Sequence, residues 1–498
     1  MRPGITTRGI LRNDHGRAVA AVHHGGSLTS LLLATLLAAS EALYLMLLRL
    51  DAVNGARPVA IFLAVMGAEF GLCLAAYYMM RNRAVSPLLW SLIVGGAVLF
   101  RITLLPAGLP PELSLREKFT AMRADWRGES VTYERFQLFD DDIWRYLWDG
   151  HVAAGGINPY AFAPADPSMD QLLSTETSAQ PDWDTIRGNI NYPRLPTIYP
   201  PLAQMAFRTS NWLAPGSVLA MKVIVVGFDL LAYIFLIVTL SVLREAPAKS
   251  ILYGWNPLVI KVFAGSGHID AMAVAALAAL CYFLSRKKRT AASLGLGLAI
   301  GAKMFPVVLL PFLARRVGAW RTVLAGATAL ACWIPYFGAG THLFDGLRAF
   351  SATWQFNAGP FQLLTWAAGI VTSQPQVFAR IASASLVAAT LAVLYRSDDG
   401  RPNSFARYTV VALGAVLVFG PVVMPWYVTW LLPPAIIAWN RAAIFSSLVV
   451  CTAFLVMVQG VEWPWTLVVE YAALIGIMRW ERSRERAKEL APKRAAGS

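Results

Sequence analysis

Charged side chains are scarce in this chain of 498 residues: Asp, Glu, Lys and Arg make up 14% of the sequence, whereas apolar residues make up 57%. Soluble globular domains contain about 25% charged residues. Together with a mean hydropathy of +0.52, the deficit excludes a soluble enzyme. Internal repeats and low-complexity linkers are also lacking. We therefore expect one integral domain with one large insertion.

Cysteine is scarce too, with four residues in the chain. Cys73, Cys281, Cys332 and Cys451 all lie in apolar runs, and the one strongly polar segment, residues 107–196, contains none. Disulfide frameworks stabilise small secreted domains. The sequence therefore predicts no disulfide.

Long apolar runs, in contrast, recur between residues 27 and 480. Runs of about 18 or more residues can cross the roughly 30 Å hydrocarbon core of a bilayer as helices. We therefore predict an all-α polytopic membrane protein. Three spans near 27–48, 58–80 and 86–106 precede the polar segment, and the first is expected to be an uncleaved span, because no small-residue cleavage site follows its basic flank.

The distribution of charge predicts the topology. The net charge is +14, yet residues 107–196 contain 14 acidic and 8 basic side chains. Cations in short loops and tails are typical of cytoplasmic segments, so we expect no nucleic-acid partner. We predict a cytoplasmic tail at 1–26, three spans within 27–106 and an extracytoplasmic loop at 107–215 that includes an interfacial helix near 200–213. A membrane bundle at 216–480 and a basic cytoplasmic tail at 481–498 follow.

Polar, Gly or Pro residues interrupt the later apolar stretches at 265–270, 301–306 and 420–427. Broken membrane helices are tolerated where they line a cavity, and counting each half gives roughly 11–14 helices. The charge pattern brings His268, Asp270, Lys303 and Tyr427 to the same face as the acidic loop. The plain alternative is that helices simply end at these positions. Within other apolar runs, Glu41, Lys222 and Asp229 are expected to be structurally paired.

The densest polar feature is the segment 139–150. In a helix, Asp142, Tyr146 and Asp149 lie on one face, with Arg145 beside them. Asp140 is interpreted as a helix cap, and Asp141 either as a cap or as part of the reactive group. Three consecutive carboxylates also suit a divalent cation, but their side chains point in different directions. We therefore expect no metal and no other cofactor.

Motifs in a defined order give the clearest functional indication. They are DxxRY at 142–146, WDG at 148–150, GINPY at 156–160, YPPL at 199–202, WNP at 255–257, SGHID at 266–270, KMFP at 303–306 and PWY at 425–427. The first four resemble the first outer loop of GT-C glycosyltransferases. The others resemble later markers of the polyprenyl-phosphate-hexose-dependent branch, particularly bacterial α-mannosyltransferases similar to glycosyltransferase family 87. In that family one span usually precedes the loop, so two N-terminal spans are extra.

The resemblance implies a GT-C fold in the bacterial cytoplasmic membrane, with the active site on the extracytoplasmic side. It implies inverting transfer of a hexose, with mannose favoured, from a polyprenyl phosphate to a glycan or glycolipid hydroxyl. Such chemistry needs a carboxylate base near the acceptor and cations at the leaving phosphate. Asp142 is the expected base and Asp141 the second carboxylate. Lys303, Arg145 and His268 are the expected phosphate ligands.

Further residues are candidates for binding sugar or acceptor, namely Asp149, Tyr146, Tyr199, Asn256, Asp270 and Tyr427. For the tyrosines an interfacial aromatic belt is the plain alternative, and for Lys303 a snorkelling lysine at a helix end. The segment 350–360 is expected to be an outer loop whose amides hold sugar hydroxyls.

A transporter or flippase of lipid-linked sugars is the competing function. It also uses broken helices and charges within the membrane, but along a path through the bilayer. Here the polar residues gather on one predicted side.

Overall fold

In the computed structural model, residues 14–50, 56–173, 181–459 and 464–495 are described. Residues 1–13 of the predicted N-terminal tail and the last three of the predicted C-terminal tail lie outside these ranges. The described residues form helices, and their β pairing is confined to one isolated bridge between Phe356 and Val422. The predicted all-α class is confirmed.

Three long helices open the fold, α1 (Asp14–Leu47), α2 (Ala56–Met80) and α3 (Pro87–Leu104). Helix α3 starts with Pro87 behind Ser86, whose hydroxyl accepts the N–H of Leu89, an arrangement that satisfies the first turn. The Thr103 hydroxyl on α3 donates to Glu41 on α1 at 2.5 Å. A polar contact within the apolar parts of the two helices therefore joins α1 to α3.

The polar segment that follows carries four helices, α4 (Leu115–Trp126), α5 (Asp142–Ala154), α6 (Trp183–Gly188) and α7 (Pro201–Leu213). Helix α5 packs closely on α7, since a Cβ at Gly150 would lie 2.4 Å from the Phe207 carbonyl oxygen. The Tyr146 ring stacks on the Phe207 ring at 4.6 Å. Helix α7 is a separate 13-residue helix with Trp212 79% exposed, which is compatible with the predicted interfacial position.

The remaining chain forms the bundle. Its helices are α8 (Val218–Val242), α9 (Ile251–Gly254), α10 (Pro257–Ile260), α11 (Ala271–Ser285), α12 (Arg289–Ala302), α13 (Leu310–Val317), α14 (Ala319–Trp333), α15 (Asp345–Thr353), α16 (Gly359–Gly369), α17 (Pro375–Ser397), α18 (Phe405–Phe419), α19 (Leu432–Ala438), α20 (Arg441–Val449), α21 (Ala453–Gln459) and α22 (Pro464–Ala495). Shorter 3₁₀ turns and one π-helical segment, Lys261–Gly265, connect them.

Among the described residues, eight helical stretches are long and apolar enough to cross a membrane. They are Leu28–Leu47, Pro58–Met80, Pro87–Leu104, Val218–Val242, Ala319–Thr353, Pro375–Ser397, Pro402–Phe419 and Arg441–Val458. Helix α11 is apolar but shorter. The predicted number of 11–14 transmembrane helices also counts the short halves of broken helices, and it stays a prediction.

The structure interrupts its helices at all three predicted breaks. The first break contains the π-helical segment and Gly267, whose φ of +74° favours glycine. At the second, α12 ends and Lys303 is extended, with φ −155° and ψ 134°. At the third, irregular residues after Phe419 lead into the 3₁₀ helix Pro425–Leu431. Irregular backbone thus meets the polar loop from three directions.

Buried charges tie the bundle to α3 and to the loop. The Arg101 guanidinium donates to Asp229 at 2.5 Å and to the Gly254 carbonyl at 2.8 Å. Lys222 lies two helical turns before Asp229 on the same face of α8. It donates to the Ala107 carbonyl at 2.6 Å and to the Gln137 amide oxygen at 3.0 Å. Lys222 and Asp229 are therefore structurally paired as expected, but each with a partner on another segment.

The buried ion pair generates a stability prediction. Arg101→Leu should lower the free energy of unfolding by about 3–5 kcal/mol, because Asp229 is left as an uncompensated buried charge. The double variant Arg101→Leu/Asp229→Leu should lose less of this free energy of unfolding, because neither charge is left without its partner. Denaturant unfolding in detergent micelles measures both.

The matched control is the pair of Arg127 and Glu129, whose side chains are 63% and 55% exposed. Arg127→Leu should cost less than about 1 kcal/mol. A double variant as unstable as Arg101→Leu alone would contradict the prediction.

Candidate active site

A cavity of about 790 Å³ lies where the loop meets the second and third helix breaks. Six of the residues selected from the sequence line it, namely Asp141, Asp142, Arg145, Tyr199, Lys303 and Tyr427. The remaining lining includes apolar groups such as Phe139, Met424, Val456 and Met457. One chamber therefore combines carboxylates, cations and apolar surface.

Five other selected residues are buried and are not part of the lining: Tyr146, Asp149, Asn256, His268 and Asp270. Four of them contact residues that do line the cavity, as described below. Asn256 does not. Its side chain caps α10 by accepting the N–H of Leu258 at 3.1 Å, and it donates to the Ser447 hydroxyl at 3.0 Å. The WNP motif thus starts a helix at this position.

Asp140 anchors the loop to the first break. Its carboxylate is hydrogen-bonded to Nε2 of His268 and lies 3.9 Å from Nζ of Lys261. Burial would raise the pKa of Asp140, but His268 and then Lys261 hold it below the ordinary value. Asp140 also accepts the N–H of Asp142 at 3.2 Å. The sequence interpretation of Asp140 as a cap therefore covers only part of its role.

Asp141 and Asp142 face the cavity and share one partner. The Asn191 amide donates to Asp141 at 2.8 Å and to Asp142 at 3.0 Å. Burial and the neighbouring Asp142 and Asp140 charges raise the pKa of Asp141 to about 6. Burial and the Asp140 charge also raise the pKa of Asp142. Sequence analysis did not select Asn191, because a single amide 49 residues from Asp142 belongs to no recognisable motif.

His268 lies behind the two carboxylates. Its Nδ1 atom is 3.3 Å from the Tyr146 hydroxyl and 3.7 Å from a carboxylate oxygen of Asp142. The imidazole stacks on the Trp426 ring, with the centroids 3.9 Å apart. His268 therefore fixes the relative position of Asp140 and Asp142.

Asp140, Asp142 and His268 also offer ligand atoms within 4.8 Å of one another. Carboxylates with an imidazole are suitable ligands for several divalent metals. However, His268 already bonds to Asp140, and the Lys261 ammonium lies 3.9 Å from the same carboxylate. Because the imidazole and the ammonium already contact this carboxylate, we assign no metal to the group.

Arg145 presents a free donor to the cavity. Its Nε atom donates to Asp149 at 2.8 Å and Nη1 donates to the Leu195 carbonyl at 3.1 Å. Nη2 is buried and has no hydrogen-bond partner among the described residues. Asp149 is itself fixed by the Gln204 amide at 2.9 Å. Asp149 therefore orients Arg145, and Nη2 remains available for an oxygen ligand.

Lys303 supplies the second cation. Its ammonium lies 3.3 Å from Asp270, 5.0 Å from the Tyr427 ring centroid and 5.7 Å from that of Trp430. Asp270 accepts a second hydrogen bond, from the Trp430 indole, at 2.8 Å. Since 14% of the Lys303 side chain is exposed, the ammonium is positioned yet accessible from the cavity.

Comparison with known families identifies two matching regions. Residues 136–319 match the MptA_B family model, described as alpha-(1->6)-mannopyranosyltransferase, N-terminal domain. Residues 362–479 match the model described as the MptB C-terminal domain. None of the curated proteins compared with the chain matches it. The first region contains the acidic triplet, His268 and Lys303, and the second contains Tyr427.

Proposed function

Because this chain belongs to the alpha-(1->6)-mannopyranosyltransferase family of GT-C mannosyltransferases, we propose that it takes mannose from a polyprenyl phosphate. The acceptor is a hydroxyl of a glycan or glycolipid, and the anomeric carbon is inverted. The observation that carries the proposal is that Asp142, Arg145 and Lys303 line one cavity. A proton acceptor and two cations therefore line the cavity in which donor and acceptor would meet.

Asp142 is the general base in this proposal. Asn191 orients its carboxylate, and a pKa raised by burial makes it a better proton acceptor than an exposed aspartate. As the acceptor oxygen attacks the anomeric carbon, its proton passes to Asp142 and the bond to the phosphate oxygen breaks. Asn191 and His268 keep the base in position, and Asp141 is the second carboxylate beside it.

Arg145 and Lys303 bind the donor phosphate. Negative charge grows on the phosphate as the glycosidic bond breaks, so fixed cations stabilise the transition state more than the ground state. The unpartnered Nη2 of Arg145 and the accessible ammonium of Lys303 suit this role. His268, which sequence analysis grouped with them, bonds to Asp140 and is better suited to hold the carboxylates.

The apolar part of the cavity suits the isoprenoid. Val456 and Met457 of α21 lie with Met424 and Phe139 in the same lining. An apolar lining accepts a lipid chain without burying unpaired polar groups against it. The positive-inside distribution of Lys and Arg supports an active site on the extracytoplasmic face of a bacterial cytoplasmic membrane.

The proposed base gives the first activity prediction. Asp142→Asn should lower kcat by about 10²–10⁴ while leaving donor binding largely intact, because the amide keeps the shape but accepts no proton. The measurement is transfer of labelled mannose from polyprenyl-phosphate mannose by protein in lipid nanodiscs.

The matched control is Asp184→Asn, at an exposed carboxylate of α6 in the same loop, which should transfer at the wild-type rate. Near wild-type turnover by Asp142→Asn would reject the assigned base. Movement of the donor across proteoliposomes without any product would favour the flippase instead.

The pKa values predict the pH dependence. Asp142 must be ionised to accept a proton, so the rate is full above its raised pKa and is lost as the pH falls through it. Because burial and the Asp140 charge raise the pKa of Asp142, kcat/KM should decline at a higher pH than the value of about 3.9 at which an ordinary aspartate titrates. Asp141→Asn should move the midpoint to lower pH, because it removes a negative neighbour. An unchanged midpoint in that variant would contradict this electrostatic account.

The phosphate role of Lys303 is tested with Lys303→Met. The donor KM should rise more than the acceptor KM, and kcat/KM for the donor should fall about 10- to 100-fold through loss of a charged hydrogen bond. Lys287→Met, at a lysine between α11 and α12, is the control. A change confined to the acceptor KM would contradict the assignment.

A further inference from the structure

The connection between α15 and α16 carries two amide side chains, Gln355 and Asn357. The Asn357 amide is buried and donates to Glu470 at 3.0 Å. Gln355 lines the cavity, and its Nε2 atom is buried without a hydrogen-bond partner among the described residues. The Asn357 amide is therefore engaged inside the bundle, whereas Gln355 lines the cavity.

The backbone around Gln355 is held in place. The Phe356 N–H donates to the Pro421 carbonyl at 3.0 Å, and the Val423 N–H donates to the Phe356 carbonyl at 2.8 Å. On the other side, the Trp354 ring packs on Tyr192 with centroids 4.5 Å apart. The segment therefore joins the third break to the loop, and this fixes the position of the Gln355 amide.

A buried donor without a partner is costly, and in the lining of a binding cavity a bound ligand can satisfy it. The Gln355 carboxamide is neutral and contains both a donor and an acceptor, which matches a hydroxyl group. A phosphate offers only acceptors and is better bound by charged donors, which Arg145 and Lys303 supply from other walls of the cavity.

We propose that Gln355 donates a hydrogen bond from Nε2 to a hydroxyl oxygen of a sugar bound in this cavity, and thereby selects the sugar by the position of that hydroxyl. This inference rests on the proposed transferase function. The hydroxyl belongs either to the transferred mannosyl group or to the acceptor sugar, and the two sources are separated by experiment.

The test compares wild type with Gln355→Leu and Gln355→Glu, using short-chain polyprenyl-phosphate mannose and a mannoside acceptor. Both variants lack the amide donor, so kcat/KM for one substrate should fall about tenfold. A rise in donor KM assigns the hydroxyl to the transferred sugar, and a rise in acceptor KM assigns it to the acceptor. Gln374→Leu, at an exposed amide in the connection between α16 and α17, should leave both values within twofold of wild type.

Monodeoxy analogues of both sugars complete the test. The analogue that lacks the contacted hydroxyl should react about tenfold more slowly with wild type and no more slowly with Gln355→Leu than the parent sugar does. The thermal midpoint of substrate-free Gln355→Leu should equal or exceed that of wild type, because an unsatisfied donor is removed. Gln355→Leu retaining both kcat/KM values within twofold would overturn the inference. So would deoxy analogues that each slow Gln355→Leu by the same factor as wild type. Absence of transfer by wild type itself would instead reject the proposed function.

Discussion

The buried charge cluster of Asp140, His268 and Lys261 holds the polar loop on the bundle. Its carboxylate comes from the loop, and its imidazole and ammonium come from the first helix break. Two further contacts act at the same place, since Lys222 and Ser266 donate to Gln137 at 3.0 and 2.9 Å. An unpaired buried charge costs several kcal/mol, so undocking the loop is expensive. The positions of Asp141 and Asp142 follow from this attachment.

The first of the extra N-terminal spans is fixed to α3, and the second reaches the active-site region. Phe62 of α2 packs against Phe139, directly before the acidic triplet, and against Phe454, each at 5.2 Å between ring centroids. Phe454 in turn lies under the Lys261 ammonium, 4.1 Å from its ring centroid. The second span thus closes the apolar side of the charge cluster, which gives it a structural role that the sequence left unexplained.

The sequence predicted site residues where reactive side chains stand at helical spacing or interrupt an apolar run. Helical spacing placed Asp142 and Arg145 together, and breaks in apolar runs pointed to Lys303 and Tyr427. Long-range pairing was harder to predict. The role of Asp140 depends on His268, 128 residues away, and without that partner an acidic residue before a helix indicates only a cap. Asn191 and Gln355 are isolated amides, and only the fold shows that they lie at the cavity. Asn256 belongs to a recognisable motif, but its side chain caps a helix by accepting a backbone N–H.

Leu138 and Phe139 both have positive φ values, 53° and 69°. Such backbone costs about 1–3 kcal/mol per residue outside glycine and persists only where surrounding contacts enforce it. Phe62 supplies one of those contacts, and residues 222–268, which leave the ribosome after the loop, supply others through Gln137 and Asp140. A nascent chain that ends before residue 222 has every loop carboxylate but lacks the contacts from that later segment. The folded arrangement of the acidic triplet therefore depends on segments that are translated after it.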